Sequence, residues 1–284
     1  MKANEIYEMI EKKVIEQLEN GIIPWRRCYH VSSGDLCISH QSGEPYSLLN
    51  QFLLELPGEY WTFEQAKKEG YSVRKGAKSS KIVFWKILKT DGIKDNGDGT
   101  FSECEIKQIP YLKYYSVFHE SDIDGLPPKP ANEFDRNRNK ESVDEAEKII
   151  SKYLENNPDI SISDRIIPCF VPSIKTIYVP EKCQFDLLGD YYHTCFHEMT
   201  HSTKFALDRT ISMSDEDRAK EELVAEIGAA YLCGEAGIDE SEVIKNTESY
   251  CAGWLKALRN NIKWLIWASS RAEKAAKYIL TNEK

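Results

Sequence analysis

The chain holds eight cysteines but no Cys-x-x-Cys pair. Cys28, Cys37, Cys104, Cys169, Cys183, Cys195, Cys233 and Cys251 are scattered, which excludes a cysteine zinc knuckle. Without a secretion signal, reduced thiols in the core are expected rather than a disulfide framework. No run approaches the ~18 consecutive apolar residues that a membrane span needs. The opening residues Met1-Lys2-Ala3-Asn4-Glu5-Ile6 lack the apolar stretch of a signal peptide, so a cytoplasmic protein with no membrane partner is expected. There is no internal repeat and no low-complexity tract. Excess positive charge is missing too: a net charge of −9 weighs against bulk nucleic-acid binding. The segment Asp95-Asn96-Gly97-Asp98-Gly99 lacks what a calcium loop requires. Its third position is Gly97 and no bidentate glutamate follows on schedule, so a hairpin turn is expected.

What is present describes a soluble globular protein of two domains. Its 284 residues suffice for two, each expected to bury its own core. Ile6, Met9, Ile10, Val14 and Leu18 recur at helical spacing, with Asn4 to cap and Gly21 to stop the helix. Residues 61–70 read as a short helix closed by Gly70. Residues 81–88 and 111–118, rich in β-branched and aromatic types, read as strands. The stretch Gly125-Leu126-Pro127-Pro128-Lys129-Pro130, with the polar run to Lys140, is the best linker. The expected boundaries are therefore 1–126, a linker over 127–141, and 142–284. The second part opens with a helix near 143–155, continues through short apolar runs at 165–171 and 175–179, and is helical thereafter. The fold class expected is α+β: a mixed α/β first domain, then a mostly helical domain with a small sheet.

The densest chemistry lies in His197-Glu198-Met199-Thr200-His201. Residues four apart on a helix leave the same face about 6 Å apart along the axis, so both imidazoles can grip one tetrahedral ion. Glu198 stands beside them, where its carboxylate can take a proton from a water on the metal. Tyr192, Cys195, Phe196 and Met199 form a separate apolar stripe for packing. A third histidine after the motif is excluded, because Lys204 and Leu207 occupy the positions where a metzincin has glycine and histidine. His193 lies about 12 Å along the axis from His201, too far to share one ion, and is expected to be solvated or to support a ligand. A second helix begins about twenty residues later. Glu222 and Glu226 share one of its faces, while Glu221 points about 100° away. Ala225, Gly228, Ala229 and Ala230 allow close helix approach.

A glutamate helix behind a His-Glu-x-x-His helix resembles the glutamate-type zincins. That resemblance implies that Glu222 completes the ligand set with His197 and His201. It also implies that Glu226 hydrogen-bonds a ligand histidine from behind. One zinc per chain is then expected, with Glu198 as the catalytic base. The chain as a whole resembles the ArdC-type antirestriction proteins of mobile elements. The resemblance rests on Gly21-Ile22-Ile23-Pro24-Trp25, Pro45-Tyr46-Ser47-Leu48-Leu49-Asn50, Trp61-Thr62-Phe63-Glu64-Gln65-Ala66 and Val73-Arg74-Lys75-Gly76-Ala77-Lys78. It continues through Ile82 to Lys86, Tyr115 to Phe118, Tyr191-Tyr192, the His197 motif and Glu221 to Ala230. It implies a single-stranded-DNA-binding first domain and a zinc metallopeptidase-like second domain. The implied partners are single-stranded DNA and host restriction or other proteins as substrate or target.

The first half supports that implication through charge placement. Residues 60–90 carry eight basic side chains against Glu64 and Glu69. Interleaved with aromatics, they offer phosphate contacts and stacking faces. The candidates are Trp25, Arg26, Arg27, Arg74, Lys75, Lys78, Lys81 and Trp85. Two functional readings stay open: peptide hydrolysis, or DNA protection by binding with the zinc domain as a structural or docking element. A third reads the acidic stretch 142–284 as a decoy for DNA-binding enzymes.

Overall fold

A computed structural model of the chain describes residues 3–26, 36–54, 56–89, 93–95, 101–103, 108–127, 138–209, 214–238, 247–259 and 261–283. The first amphipathic pattern forms helix α1 (Ala3–Glu19), with Ile6, Ile10, Val14 and Leu18 all buried. Gly21 follows at φ 74°, the left-handed stop that glycine tolerates best. Strand β1 (Cys37–Ser39), helix α2 (Leu48–Leu53), strand β2 (Gly58–Trp61) and helix α3 (Phe63–Lys68) come next. Thr62 starts α3 with a capping box: its hydroxyl accepts from the Gln65 N–H, and the Gln65 side chain accepts from the Thr62 N–H.

Strands β3 (Ser72–Val73), β4 (Ser80–Lys89), β5 (Ile93–Asp95), β6 (Phe101–Glu103), β7 (Gln108–His119) and β8 (Ile123–Asp124) complete the first half. The main sheet runs β1-β2-β7-β4, with β1 parallel to β2 and the rest antiparallel. β4 and β7 pair from Ser80↔Val117 to Lys89↔Gln108, as the residue types at 81–88 and 111–118 predict. β5 and β6 pair antiparallel around the Asn-Gly cluster, whose residues 96–100 lie outside those described.

Helix α4 (Arg138–Asn156) opens the second half, so the last four residues of the expected linker are already helical. Strands β9 (Ser161–Asp164), β10 (Cys169–Val171) and β11 (Thr176–Val179) form a sheet in the order β10-β11-β9, which leaves β10 on an edge. β9 escapes the sequence pattern because Ser161, Ser163 and Asp164 are polar and exposed. Helices α5 (Leu188–Ser202), α6 (Asp215–Ala236), α7 (Thr247–Leu258) and α8 (Ile262–Thr281) follow. Among the described residues, no helix is long and apolar enough to cross a membrane. Cys37, Cys195, Cys233 and Cys251 are buried thiols, while Cys28 and Cys104 lie outside the described residues.

The two halves share one large core and also keep clusters of their own. One cluster joins Ile10, Val14, Trp25 and Phe52 of the first half to Leu223, Val224, Ile227, Leu258, Leu265 and Ile266 of the second. A second, wholly in the second half, holds Tyr153, Ile177, Phe196, Met199, Ala229 and Leu232, and two smaller ones, around Tyr60 and around Trp61, stay in the first half. The cause lies in α6, which is apolar on opposite sides. A helix with two apolar sides needs a cover on each. The first half supplies the cover that the second lacks.

Candidate metal centre

Two helices build the centre. On α5, Tyr192, Cys195, Phe196 and Met199 are buried in the second core, which turns His197, Glu198 and His201 toward a cleft. On α6, Leu223 and Ile227 face the first core and leave Glu222 on the cleft side, its side chain 58% exposed. The Nε2 atoms of His197 and His201 stand 3.1 Å apart. Glu222 reaches both, with Oε2 at 3.4 Å from His197 Nε2 and Oε1 at 3.5 Å from His201 Nε2. A tetrahedral zinc with bonds of about 2.0–2.1 Å keeps its ligand atoms roughly 3.3 Å apart. The two imidazole nitrogens, with one carboxylate oxygen turned to each, stand at spacings such an ion accepts, and acceptor atoms gathered so closely gain from a shared cation.

Each histidine has a carboxylate behind it. His201 Nδ1 is 3.4 Å from Glu221 Oε1, and His197 Nδ1 is 3.7 Å from Glu226 Oε1. A carboxylate there fixes the tautomer that presents Nε2 to a metal. Glu221, which helical spacing turns away from Glu222, thus stands at the site after all. It is buried and ion-paired with buried Arg209 at 2.8 Å. Helix projection missed it because Glu221 meets His201 at Nδ1, from behind the ring, and not on the face where Glu222 stands. Arg209 carries no sequence signal at all. Glu226 lies beside His197 at 3.7 Å, beyond hydrogen-bond distance, and its Oε2 is 3.4 Å from His193 Nε2. His193 is buried rather than solvated.

These contacts set the proton affinities. The histidines on either side hold the Glu222 carboxyl far below the usual carboxylate range. Burial pushes the Glu198 carboxyl up, against the pull of His201 and His197. Burial opposes charge on His201, but Glu221, Glu222 and Glu198 outweigh it and raise its pKa to about 9. Glu221 is lowered: hydrogen bonds from His201 and Arg209 overcome the cost of burial. The cleft over these groups has a volume of about 440 Å³, walled on the far side by Phe170 and Pro172.

The expected DNA contacts divide. Trp25 is fully buried, edge-on to Phe52 and Trp254, so it is a core residue and offers no stacking face. Trp85 packs against the same core, and Lys81 is half-buried, bonded to Ser116 and set over the Tyr114 ring. Strand alternation explains both: Lys81, Val83 and Trp85 share the inward side of β4. Arg74, Lys75 and Lys78 are exposed on the turn before β4, Arg74 at 3.3 Å from Asp124. The side chain of Arg26 and all of Arg27 lie outside the described residues. The outward side of β4 and β7 carries further aromatic and basic side chains, among them Phe84, one of the interleaved aromatics of the basic run. Phe84 and Tyr115 are about half exposed there, with Lys113 opposite Phe84 and over the Tyr111 ring. Alternation around buried Val83 could have revealed it.

Residues 4–118 match the N-terminal domain of anti-restriction factor ArdC, and residues 145–271 match a zincin-like metallopeptidase domain. Two Escherichia coli proteins named DNA primase TraC are 29% and 31% identical to the chain over 98% of its length. The chain spans only 27% and 20% of those proteins. The metal-free crystal structure of antirestriction protein ArdC from plasmid R388 is similar at a TM-score of 0.68 and 28% identity, covering 98% of both chains. Its Mn(II)-bound form gives 0.67 and 27%, covering 97% of both. With both domain types present in the same order, and a solved ArdC structure alike from end to end, the chain belongs to the ArdC-type antirestriction family.

Proposed function

We propose that the chain is an antirestriction-type protein of a mobile element, acting in the cytoplasm, that hydrolyses peptide bonds at a zinc ion. In this reading His197, His201 and Glu222 hold the ion, and residues 1–126 bind single-stranded DNA. The linker 127–141 joins that part to residues 142–284. One observation carries the metal assignment: one ligand atom from each of His197, His201 and Glu222 lies within 4.8 Å of the others, with a carboxylate behind each histidine. Two imidazole nitrogens and one carboxylate oxygen form the donor set of glutamate-type zinc hydrolases. When bound, the ion would polarise a carbonyl and lower the pKa of a water. Glu198 supplies the proton acceptor. Burial raises its pKa toward the operating range, as general-base catalysis favours. Glu221 and Glu226 hold the imidazoles in register, and Arg209 holds Glu221.

Metal analysis tests the ligands. Glu222→Ala should empty the site, while Glu226→Ala should leave it occupied with weaker affinity. Because a family structure is Mn(II)-bound, loading is compared for zinc and manganese. Retention of metal by Glu222→Ala with loss in Glu226→Ala would reverse the assignment.

A second reading is favoured by the exposed Phe84 and Tyr115 face: DNA is protected by coverage alone, and the metal domain docks a protein without turnover. Glu198→Gln separates the two. Loss of DNA protection in a folded, metal-loaded variant supports hydrolysis; full protection supports coverage.

A further inference from the structure

Helices α5 and α6 run antiparallel past the metal centre, as the facing pairs along them show. His193 meets Glu226, His197 meets Glu226 and Glu222, and His201 meets Glu222 and Glu221. The next turn of that ladder brings Lys204 on one side and Arg218 on the other, and both line the cleft over the histidines. Arg218 stands four residues before Glu222, hence on the same face of α6 and about 6 Å along its axis. Lys204 follows His201 by three residues, in the turn that closes α5, where its N–H donates to the His201 carbonyl at 3.2 Å. Two cations thus share one end of the cleft, a helical turn beyond the ligand row.

The acids of the cleft are engaged, whereas these cations are held loosely. Glu222 lies against both histidines, Glu221 is held by Arg209 and His201, and Glu198 is buried. Lys204 Nζ rests 5.4 Å over the Phe205 ring. Arg218 Nη1 has Asp215 at 4.0 Å, with both side chains more than half exposed. A pair that long and that open binds an arginine weakly.

From this arrangement we propose that Lys204 and Arg218 set the specificity of the site by holding a carboxylate of the peptide, one or two residues from the bond at the metal centre. The proposal rests on the hydrolase reading. An extended peptide advances about 3.3–3.6 Å per residue, so a helical turn of about 5.4 Å corresponds to between one and two residues of substrate. The carboxylate is either the end of the peptide chain or the side chain of an Asp or Glu at that place. Each presents two oxygens, one for each cation. A lysine or arginine of the peptide at the same place would meet two like charges.

The test uses the full zinc-loaded chain and three hydroxamates built on one succinyl-alanine scaffold. One keeps the terminal carboxylate, one carries the terminal amide, and the third carries that amide with Asp in place of Ala. Titration calorimetry reads their affinities without turnover. At least one carboxylate probe should bind about tenfold tighter than the neutral probe, through charge-assisted contacts. The tighter of the two identifies a chain end or an acidic side chain as the group held. Added salt should shrink the margin, because the cations stand in an open cleft. Lys204→Gln with Arg218→Gln should erase the margin, leaving the melt and the affinity of the neutral probe unchanged. Lys204→Arg with Arg218→Lys, which exchanges the cations, should keep it. Equal affinities for all three probes, or a margin that survives the double glutamine change, would overturn the clamp and leave the metal site standing. Failure of every hydroxamate to bind would overturn the hydrolase reading itself, and the clamp with it.

Discussion

Gly228 on α6 lies flush against Thr200 on α5: a methyl group at Gly228 would come within 2.7 Å of Thr200 Oγ1 and 2.8 Å of its Cγ2. Thr200 cannot step aside. It is fully buried, its hydroxyl donates to the Phe196 carbonyl, and its own carbonyl accepts from Arg209. The contact sets the spacing between the helix of the two histidines and the helix of Glu222.

Gly228→Ala should therefore cost about 1–3 kcal/mol by overpacking and weaken metal binding as α6 is pushed outward. Thr200→Ala in the same chain should restore much of both, because the two side chains collide only with each other. A double-mutant cycle on thermal stability and metal affinity measures this. Additive losses would show that the helix spacing is set elsewhere.

Metal affinity should rise with pH up to about 9. In the metal-free protein His201 holds a proton below that pH, and an ion must displace it. An ordinary histidine would stop responding near pH 6.5. Calorimetry at pH 7.5 in two buffers of different ionisation enthalpy should register proton release on binding. Heats independent of the buffer would contradict the raised value.

Arg209→Met leaves the buried Glu221 carboxylate without its cation and should destabilise the chain by about 3 kcal/mol or more. For a chain of this size that is roughly 6 °C or more in Tm. The paired change Arg209→Met with Glu221→Met should be less harmful than Arg209→Met alone. Thermal melts of the variants decide.

In the first half, Trp25→Ala should lower stability by about 3–5 kcal/mol, the cost of a core cavity. At a temperature where that variant stays folded, its DNA affinity should be unchanged. Phe84→Ala and Tyr115→Ala should do the reverse, each weakening single-stranded DNA by about 1–3 kcal/mol with an unchanged melt. Lys75→Ala with Lys78→Ala should flatten the salt dependence. Fluorescence anisotropy with an oligothymidylate reads all three.

Residues 1–126 expressed alone should lack a cooperative melt, because Leu265, Ile266 and Leu223 that cover their apolar side would be missing. Mixing with residues 127–284 should restore one. Independent sharp melts for both pieces would show that each half is self-sufficient.

Helices and strands with strong periodicity were legible from the sequence: α1 from Ile6 to Leu18, β4 and β7 from their β-branched and aromatic runs, and α5 and α6 from the site motifs. His197 and His201 meet because i, i+4 spacing brings them together without tertiary knowledge, whereas Glu222 is legible only through the zincin resemblance. Legibility ended where packing decides. Trp25 reads as an amphipathic stacking residue in one dimension, and only the arrival of Phe52 and Trp254 makes it core. Glu221 and Arg209 are ordinary surface charges until α6 crosses α5. Polar β9 is a strand because β11 lies beside it.

Helix α6 gives one side to each hydrophobic core and its acidic row to the histidines. Such a helix resists modular exchange. A recombinant carrying the first half of one relative and the second half of another would have to match at Leu223, Val224 and Ile227 before Glu222 met His197 and His201. Inheritance of the two halves is thereby bound together, and drift in the first half is constrained by the geometry of a centre that lies in the second.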